Sequence, residues 1–211
     1  MLGILIKHIN EHRHRKKNAA EFHATSDDVF ERISSRYDFL CDLFSIGLHR
    51  RWKNAVAREI NKSDWKILLD GASGTGDIVL RTLSSDKSMQ DRKIIAADLS
   101  PSMLKIAKKR ICGNSDCANI EFEVMDAENM KSLEDCSVDC FSFSLAAKIC
   151  NRNSVFDEAF RILKPGGTFV ILEASTIPNR LVHFCYLQYM KLCMPVIGWI
   201  ASGGDLSLIH I

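Results

Sequence analysis

A doubly wound α/β fold with a parallel sheet is what this sequence of 211 residues predicts. One stretch carries most of that expectation. Ile67-Leu68-Leu69 is a short apolar run, suited to a buried parallel strand, and it closes on Asp70. The glycine-rich turn Gly71-Ala72-Ser73-Gly74-Thr75-Gly76 follows, and Ile78-Val79-Leu80 resumes an apolar helical face. Strand, tight turn and helix form the first half of a nucleotide-binding βαβ unit. A second apolar run, Lys93-Ile94-Ile95-Ala96-Ala97, ends in Asp98, 22 residues beyond Gly76.

An acid at the tip of the second strand can accept both hydroxyls of a ribose. A dinucleotide fingerprint needs Gly or Ala three residues after its second glycine, and Val79 stands there. Its side chain would crowd the close approach of helix to strand. Asp70, closing the first strand, suits a ligand with an amino group better than one with a pyrophosphate. S-adenosylmethionine carries an amino-acid end and a ribose but no phosphate, so it satisfies Asp70 and Asp98 together.

A 46% hydrophobic content is enough for one domain with a real core, and a net charge of +2 points to no polyanionic partner such as nucleic acid. Eight cysteines include no Cys-x-x-Cys pair. Reduced, mostly buried thiols are expected rather than a zinc site.

Met1–Asn18 is apolar and then basic, which fits a targeting helix or a solvated arm, and residues 1–25 are set apart on that ground. Ser26-Asp27-Asp28 offers an N-cap and first-turn acids for a helix through Val29–Ile33. Short helices from Ser35 to Trp52 and an amphipathic helix over Arg50–Ile60 follow, and periodicity leaves open whether Tyr37, Phe39, Phe44 and Trp52 serve plain helix packing or a cap over a pocket. Beyond the second strand, Ser100-Pro101 is an N-cap with proline at the first helical position. Met103, Leu104, Ile106, Ala107 and Ile111 face inward, while Lys105, Lys108, Lys109 and Arg110 are read as a solvated face. Cys112–Asn119 is expected to be loop. Ile120–Val124 alternates as a third strand, with Asp126-Ala127 just past its end, placed to meet an adenine edge. Ser137–Ser144 is the fourth strand and Arg152–Leu163 an amphipathic helix. Lys164-Pro165-Gly166-Gly167 breaks it, and Thr168–Leu172 is a fifth strand ending at Glu173. Leu181–Ala201 is rich in apolar residues but interrupted by His183, Gln188, Lys191 and Pro195. It reads as a helix covering a pocket or touching a membrane surface, not spanning it.

The chain resembles the ubiquinone/menaquinone biosynthesis C-methyltransferases, a family of class I S-adenosylmethionine-dependent methyltransferases with a Rossmann-like sheet. The resemblance runs through Val29–Asp38 and Asp42–Lys53, where Ser45-Ile46-Gly47-Leu48-His49-Arg50-Arg51-Trp52 is its most specific run. It continues through Gly74-Thr75-Gly76-Asp77, Ala97–Leu104, Leu163–Gly167 and Pro195–Ile200. It implies helices on both faces of the sheet and cofactor contacts at Thr75, Asp98, Asp126, Ala127 and Ser144, with Asp70, Gly74 and Gly76 in the same pocket.

The implied reaction is methyl transfer to a ring carbon of a polyprenylated hydroquinone or naphthol. It needs no metal. Lys148 and His49 are the candidates to act on the acceptor's hydroxyl. Two departures stand out. The family's Phe-Gly-Leu-Arg-Asn run after Ser144 is here Leu145-Ala146-Ala147-Lys148-Ile149, so a Lys replaces the planar fork of Arg. Residues 206–211 match nothing of the family's ending, which predicts a truncated chain without its final strands, the methyltransferase domain covering 26–205. The resemblance further implies a peripheral membrane surface, a homodimer or quinone-biosynthesis complex, and a place on the matrix side of the mitochondrial inner membrane, with the cytoplasm as the alternative. Two other readings stay open: a methyltransferase for a different lipophilic acceptor, and a non-catalytic scaffold of a quinone-biosynthesis complex.

Overall fold

A computed structural model describes residues 37–85, 91–173 and 177–201. The expected N-terminal arm, the helix from Val29 and the 206–211 tail lie outside the described residues. The elements in chain order are α1 (Tyr37–Ser45), α2 (Leu48–Lys62), β1 (Ile67–Gly71), α3 (Asp77–Ser85), β2 (Lys93–Asp98), α4 (Pro101–Asn114), β3 (Ile120–Val124), β4 (Val138–Ser144), α5 (Arg152–Ile162), β5 (Leu163–Leu172) and α6 (Arg180–Ala201).

The five strands form one sheet in the order β3-β2-β1-β4-β5, every neighbouring pair parallel. The order reverses at β1, between β2 and β4. A crevice opens at such a switch point, beyond the carboxyl ends of the strands. The strands expected at Ile67, Lys93, Ile120, Val138 and Thr168 are all present.

Alternate residues of the central strands feed two separate cores. Leu68, Ile94, Ala96 and Cys140 pack against Val56 and Ile60 of α2, Ile78, Val79 and Leu83 of α3, and Ala107 and Ile111 of α4. On the opposite face Leu69, Ile95, Ala97, Phe141 and Phe143 pack against Val155, Ala159 and Ile162 of α5. Leu68, Leu69, Ile94, Phe141 and Phe143 are completely buried, each worth about 1.5–3 kcal/mol of burial. Continuous apolar runs therefore mark strands covered on both sides. The cap helix α2 presents a buried stripe of His49, Lys53, Val56, Ala57 and Ile60, two members of which are polar.

Ser100 caps α4 as expected, its Oγ accepting from the Met103 backbone N–H, with Pro101 opening the helix. Several expectations need correction. First, α4 continues to Asn114, so Cys112–Asn114 is helix rather than loop. The backbone then turns back toward β3 and brings Cys117 to Cys112. The two are joined by a disulfide with a Cα–Cα distance of 5.2 Å. They are thus not reduced, and Cys136 and Cys185 are exposed rather than buried. Second, β5 begins at Leu163, before the Lys-Pro-Gly-Gly turn. Val138 pairs with Leu163 and Cys140 with Thr168, so the turn is taken up as a bulge, with Gly166 at φ +81°. Third, Arg110 does not lie on a purely solvated face: it bonds the Thr75 carbonyl at 2.9 Å and the Asp38 carboxylate at 2.8 Å.

Helix α6 rests on α1. The hydroxyls of Tyr186 and Tyr189 donate to the carbonyls of Phe44 and Leu43 at the end of α1. Leu181, Phe184 and Leu192 face outward from α6. No helix among the described residues is long and apolar enough to cross a membrane.

Candidate active site

Because β1 to β4 are adjacent and parallel, the residues closing them line a single edge. Asp70 and Gly71 end β1, Asp98 ends β2, Asp126 and Ala127 follow β3, and Ser144 ends β4. The glycine loop sits at the centre of that edge. Ser73 N–H donates to the Ala97 carbonyl at 2.9 Å, tying the loop to β2. Gly74 and Gly76 have φ of +54° and +77°, and a Cβ on Gly76 would stand 2.8 Å from Ile111 Cδ1 and 3.1 Å from Ala107 Cβ. Glycine there permits both the turn and the seating of the loop on α4.

Asp98 is held by backbone. One oxygen accepts from Gly74 N–H at 2.8 Å and the other from Ser100 N–H at 2.9 Å. The carboxylate is thereby oriented while half-buried at the crevice. Asp126 likewise accepts from Glu128 N–H at 2.8 Å. Burial pushes the Cys150 thiol up to about 12, and the carboxylates of Glu128, Asp126, Asp98 and Glu173 add to the effect.

Asp70 is 1% exposed. Its Oδ1 accepts from the Ser142 hydroxyl at 2.6 Å, and Oδ2 has no partner. Burial pushes its carboxyl up to about 7, against the pull of Ser142 and Lys53. The hydroxyls of Ser73 and Ser144 are also buried without partners. Buried polar atoms are normally satisfied. Three orphans on the loop and on the ends of β1 and β4 fit a ligand bearing amino and hydroxyl donors, as the amino-acid and ribose ends of S-adenosylmethionine do. Asp70 and Ser144 would hold the former and Asp98 the latter, with Asp126 and Ala127 at the adenine.

An ion network seats the cap on the loop. Thr75, 3% exposed, donates its hydroxyl to Asp38 of α1 at 2.9 Å. Asp77, at the start of α3, receives Lys53 Nζ at 3.1 Å, Arg81 at 3.2 Å and Arg110 at 3.9 Å. Burial works against the Asp77 carboxylate, yet Lys53 and Arg81 outweigh it and hold its pKa below the usual range. Lys53 and Arg110 were not foreseen as site residues. The signal for Lys53 was its place on the apolar stripe of α2, four residues after His49 and three before Val56.

The two candidates for chemistry are placed differently. His49 is 4% exposed, at the α1–α2 junction, with Nδ1 2.8 Å from Ser45 Oγ and 3.6 Å from Asp42. Ser45 gives its hydroxyl proton to the Cys41 carbonyl at 2.7 Å, so His49 Nδ1–H is the donor to Ser45. Burial and the nearby Lys53 charge hold His49 below its ordinary pKa, as a neutral ring joining two helices. Lys148 lies in the turn after β4, about half exposed, 3.9 Å from Glu173 at the end of β5. Leu145, opening that turn, has φ +61°, a strained position for a branched residue. Among the described residues no group of three or more His, Cys, Asp or Glu could hold a metal ion.

The fold is that of the doubly wound, S-adenosylmethionine-dependent methyltransferases. A solved structure of a putative methyltransferase of that kind from Methanococcus maripaludis shares the fold, with a TM-score of 0.56 and 22% identity over 76% of this chain and 70% of its own. A model of the ubiE/COQ5 methyltransferase family matches residues 16–205. The ubiquinone/menaquinone biosynthesis C-methyltransferase of Bartonella quintana is 34% identical over 90% of the chain and 74% of its own length. The mitochondrial 2-methoxy-6-polyprenyl-1,4-benzoquinol methylase of Schizosaccharomyces pombe is 31% identical over 85% of the chain. The chain spans 62% of that relative's length. The chain belongs to the ubiE/COQ5 methyltransferase family.

Proposed function

We propose that this chain transfers a methyl group from S-adenosylmethionine to a ring carbon of a polyprenylated hydroquinone or naphthol. The observation that carries the reading is the family match over residues 16–205, joined to a strand-end crevice with three orphaned buried polar atoms. The donor, when bound, supplies an electrophilic methyl on a positive sulfur. The chain's residues do the rest. Asp70, Asp98, Asp126, Ala127 and Ser144 fix the donor's position, with Gly74, Thr75 and Gly76 shaping the loop around it, so that the acceptor carbon can be aligned with it. The α1–α2 corner, seated on the glycine loop through Asp38 and Thr75, covers the crevice and excludes water, with α6 resting on α1. Lys148 places a cation beside the acceptor's hydroxyl, favouring the oxyanion that pushes charge onto the ring. His49 acts through geometry, holding α1 to α2.

In this reading residues 26–205 form the methyltransferase domain and 1–25 a basic arm, and the protein works in mitochondria, as two relatives named as mitochondrial do. The outward apolar side chains of α6 rest against a membrane surface from which a prenylated acceptor is drawn. A second reading takes its support from the turn after β4, where Lys148-Ile149 replaces the family's Arg-Asn and Lys148 is half exposed beside Glu173, which suits another lipophilic phenol. The test is a radiolabelled methyl-transfer assay with a demethylated quinol bearing a short prenyl tail, beside a panel of simple phenols. Label on the quinol ring carbon is expected. Label on other phenols only supports the second reading, and label on none overturns both.

A further inference from the structure

We propose that Arg110 is a positioning residue for the donor: it clasps the glycine loop and the cap together at Thr75 and Asp38, so that the cap closes as the donor binds. The inference deepens the donor reading above and rests on it.

The clasp is a closed ring of three residues from three parts of the chain. Arg110 Nη1, on α4, donates to the Thr75 carbonyl at 2.9 Å and meets Asp38 Oδ2 at 2.8 Å. The Thr75 hydroxyl, in the glycine loop, donates to Asp38 Oδ1, on α1, at 2.9 Å. Thr75 is thus held through its backbone and its side chain at once. Its hydroxyl is spent on the cap, so its part in holding the donor is to carry the loop.

The ring is not what builds the fold. Helix α4 is seated by Met103, Leu104, Ala107 and Ile111, all buried. Gly76 rests on Ala107 and Ile111 without help from a charge. The cap is held to itself: Asp42 pairs with Arg50, His49 bonds Ser45, and Tyr186 and Tyr189 bond the end of α1. What Arg110 adds is a join between cap and loop.

The loop needs such a join. Ala72, Gly74 and Gly76 have φ of +52°, +54° and +77°, and Ala72 is not a glycine. A turn of this kind keeps one shape only where its surroundings over-determine it. On one side β2 holds it, through Ser73 N–H on the Ala97 carbonyl and Gly74 N–H on Asp98. Arg110 holds it at Thr75. A donor that fixes the loop therefore fixes Thr75, and through it Asp38 and α1. The side chains of Arg110 and Asp38 are 32% and 41% exposed. An ion pair so placed is weak and screened by salt. It closes on a seated loop and opens for exchange of the ligand.

Hydrogen–deuterium exchange of the whole chain, read by peptide mass with and without S-adenosylhomocysteine at saturation for each variant, tests the clasp. In the wild type, ligand should slow exchange both in the loop and in α1. Arg110→Met should keep the response of the loop and lose that of α1, with ligand affinity down about tenfold. Arg110→Lys keeps the charge but not the fork, and should restore the α1 response in part. Asp38→Asn keeps an acceptor for Thr75 but not the charge, and should lose the α1 response as Arg110→Met does. It also carries the test should Arg110→Met not fold. Lys109→Met, on the exposed face beside Arg110, should behave as wild type. A folded Arg110→Met or Asp38→Asn whose α1 still responds to ligand overturns the inference. Exchange of α1 raised by the same factor with and without ligand is one such result, the mark of a plain brace. A wild type whose loop responds while α1 does not overturns it as well. If the wild type binds no ligand and neither segment responds, the donor reading itself falls and takes the inference with it.

Discussion

Asp70→Asn should make the ligand-free protein more stable at neutral pH while weakening its hold on the donor. The sign follows from proton binding. The carboxyl titrates at about 7 when folded, against 3.8 as a model value. Between those values the folded state holds the extra proton, so the stability that this group contributes falls as pH rises through that window and is fully lost above about 7. The cost of ionising the buried group approaches about 4 kcal/mol. Asn removes that cost but leaves an amide N–H pair unsatisfied, at about 1–3 kcal/mol. The net gain should be about 2 kcal/mol at pH 8 and should shrink toward zero or reverse near pH 4. Chemical denaturation of wild type and variant at several pH values measures it. An Asn amide cannot pair with the donor's ammonium, so S-adenosylhomocysteine affinity should drop at least about tenfold. A variant that is neither stabilised at high pH nor impaired in binding would show that Asp70 is not the buried, strained carboxylate described.

Asp98→Asn should lower affinity for S-adenosylhomocysteine and for adenosine alike, by about a hundredfold. Two ribose hydroxyls donating to a carboxylate each form a charge-assisted bond worth about 1.5–3 kcal/mol. Asn keeps one acceptor oxygen, so it preserves one of the two backbone contacts from Gly74 and Ser100 that shape the loop. Asp98→Ala would remove both and confuse loop collapse with lost ribose contact. Titration of both ligands, with circular dichroism as a check on folding, gives the answer. Equal loss for the two ligands marks a ribose contact, whereas loss for S-adenosylhomocysteine alone would move Asp98 to the amino-acid end.

Much of this fold could be read from residue order because its strands are buried on both faces. Ile67-Leu68-Leu69 and Ile94-Ile95-Ala96-Ala97 are continuous apolar runs, and each breaks on an acid at the carboxyl edge of the sheet. Asp70 and Asp98 were visible for that reason. Lys53 and Arg110 were not. Each sits in a helix rich in charges, and its partners lie on other elements: Asp77 for Lys53, Asp38 and Thr75 for Arg110. Local periodicity carries no trace of a pair formed between distant helices. The Cys112–Cys117 disulfide was missed because helix α4 runs two residues past Cys112 before turning back. The Lys164–Gly167 turn read as a break, and it is one, but the strand had already begun at Leu163. His49 is a candidate for chemistry by residue type alone, and its place at the α1–α2 junction, with Nδ1 on Ser45 four positions before it, is not written in local periodicity.

The central claim is that a donor lies across the carboxyl ends of β1 to β4. Backbone amide chemical shifts recorded while S-adenosylhomocysteine is added to isotope-labelled protein test it most directly. The expected result is a perturbed set centred on Gly74, Thr75, Asp98, Asp126, Ala127 and Ser144. A second groove, between α2 and α3, is lined by Asn54, Arg58, Arg81, Ser84 and Ser85. Shifts gathered there, with the strand ends unmoved, would contradict the account.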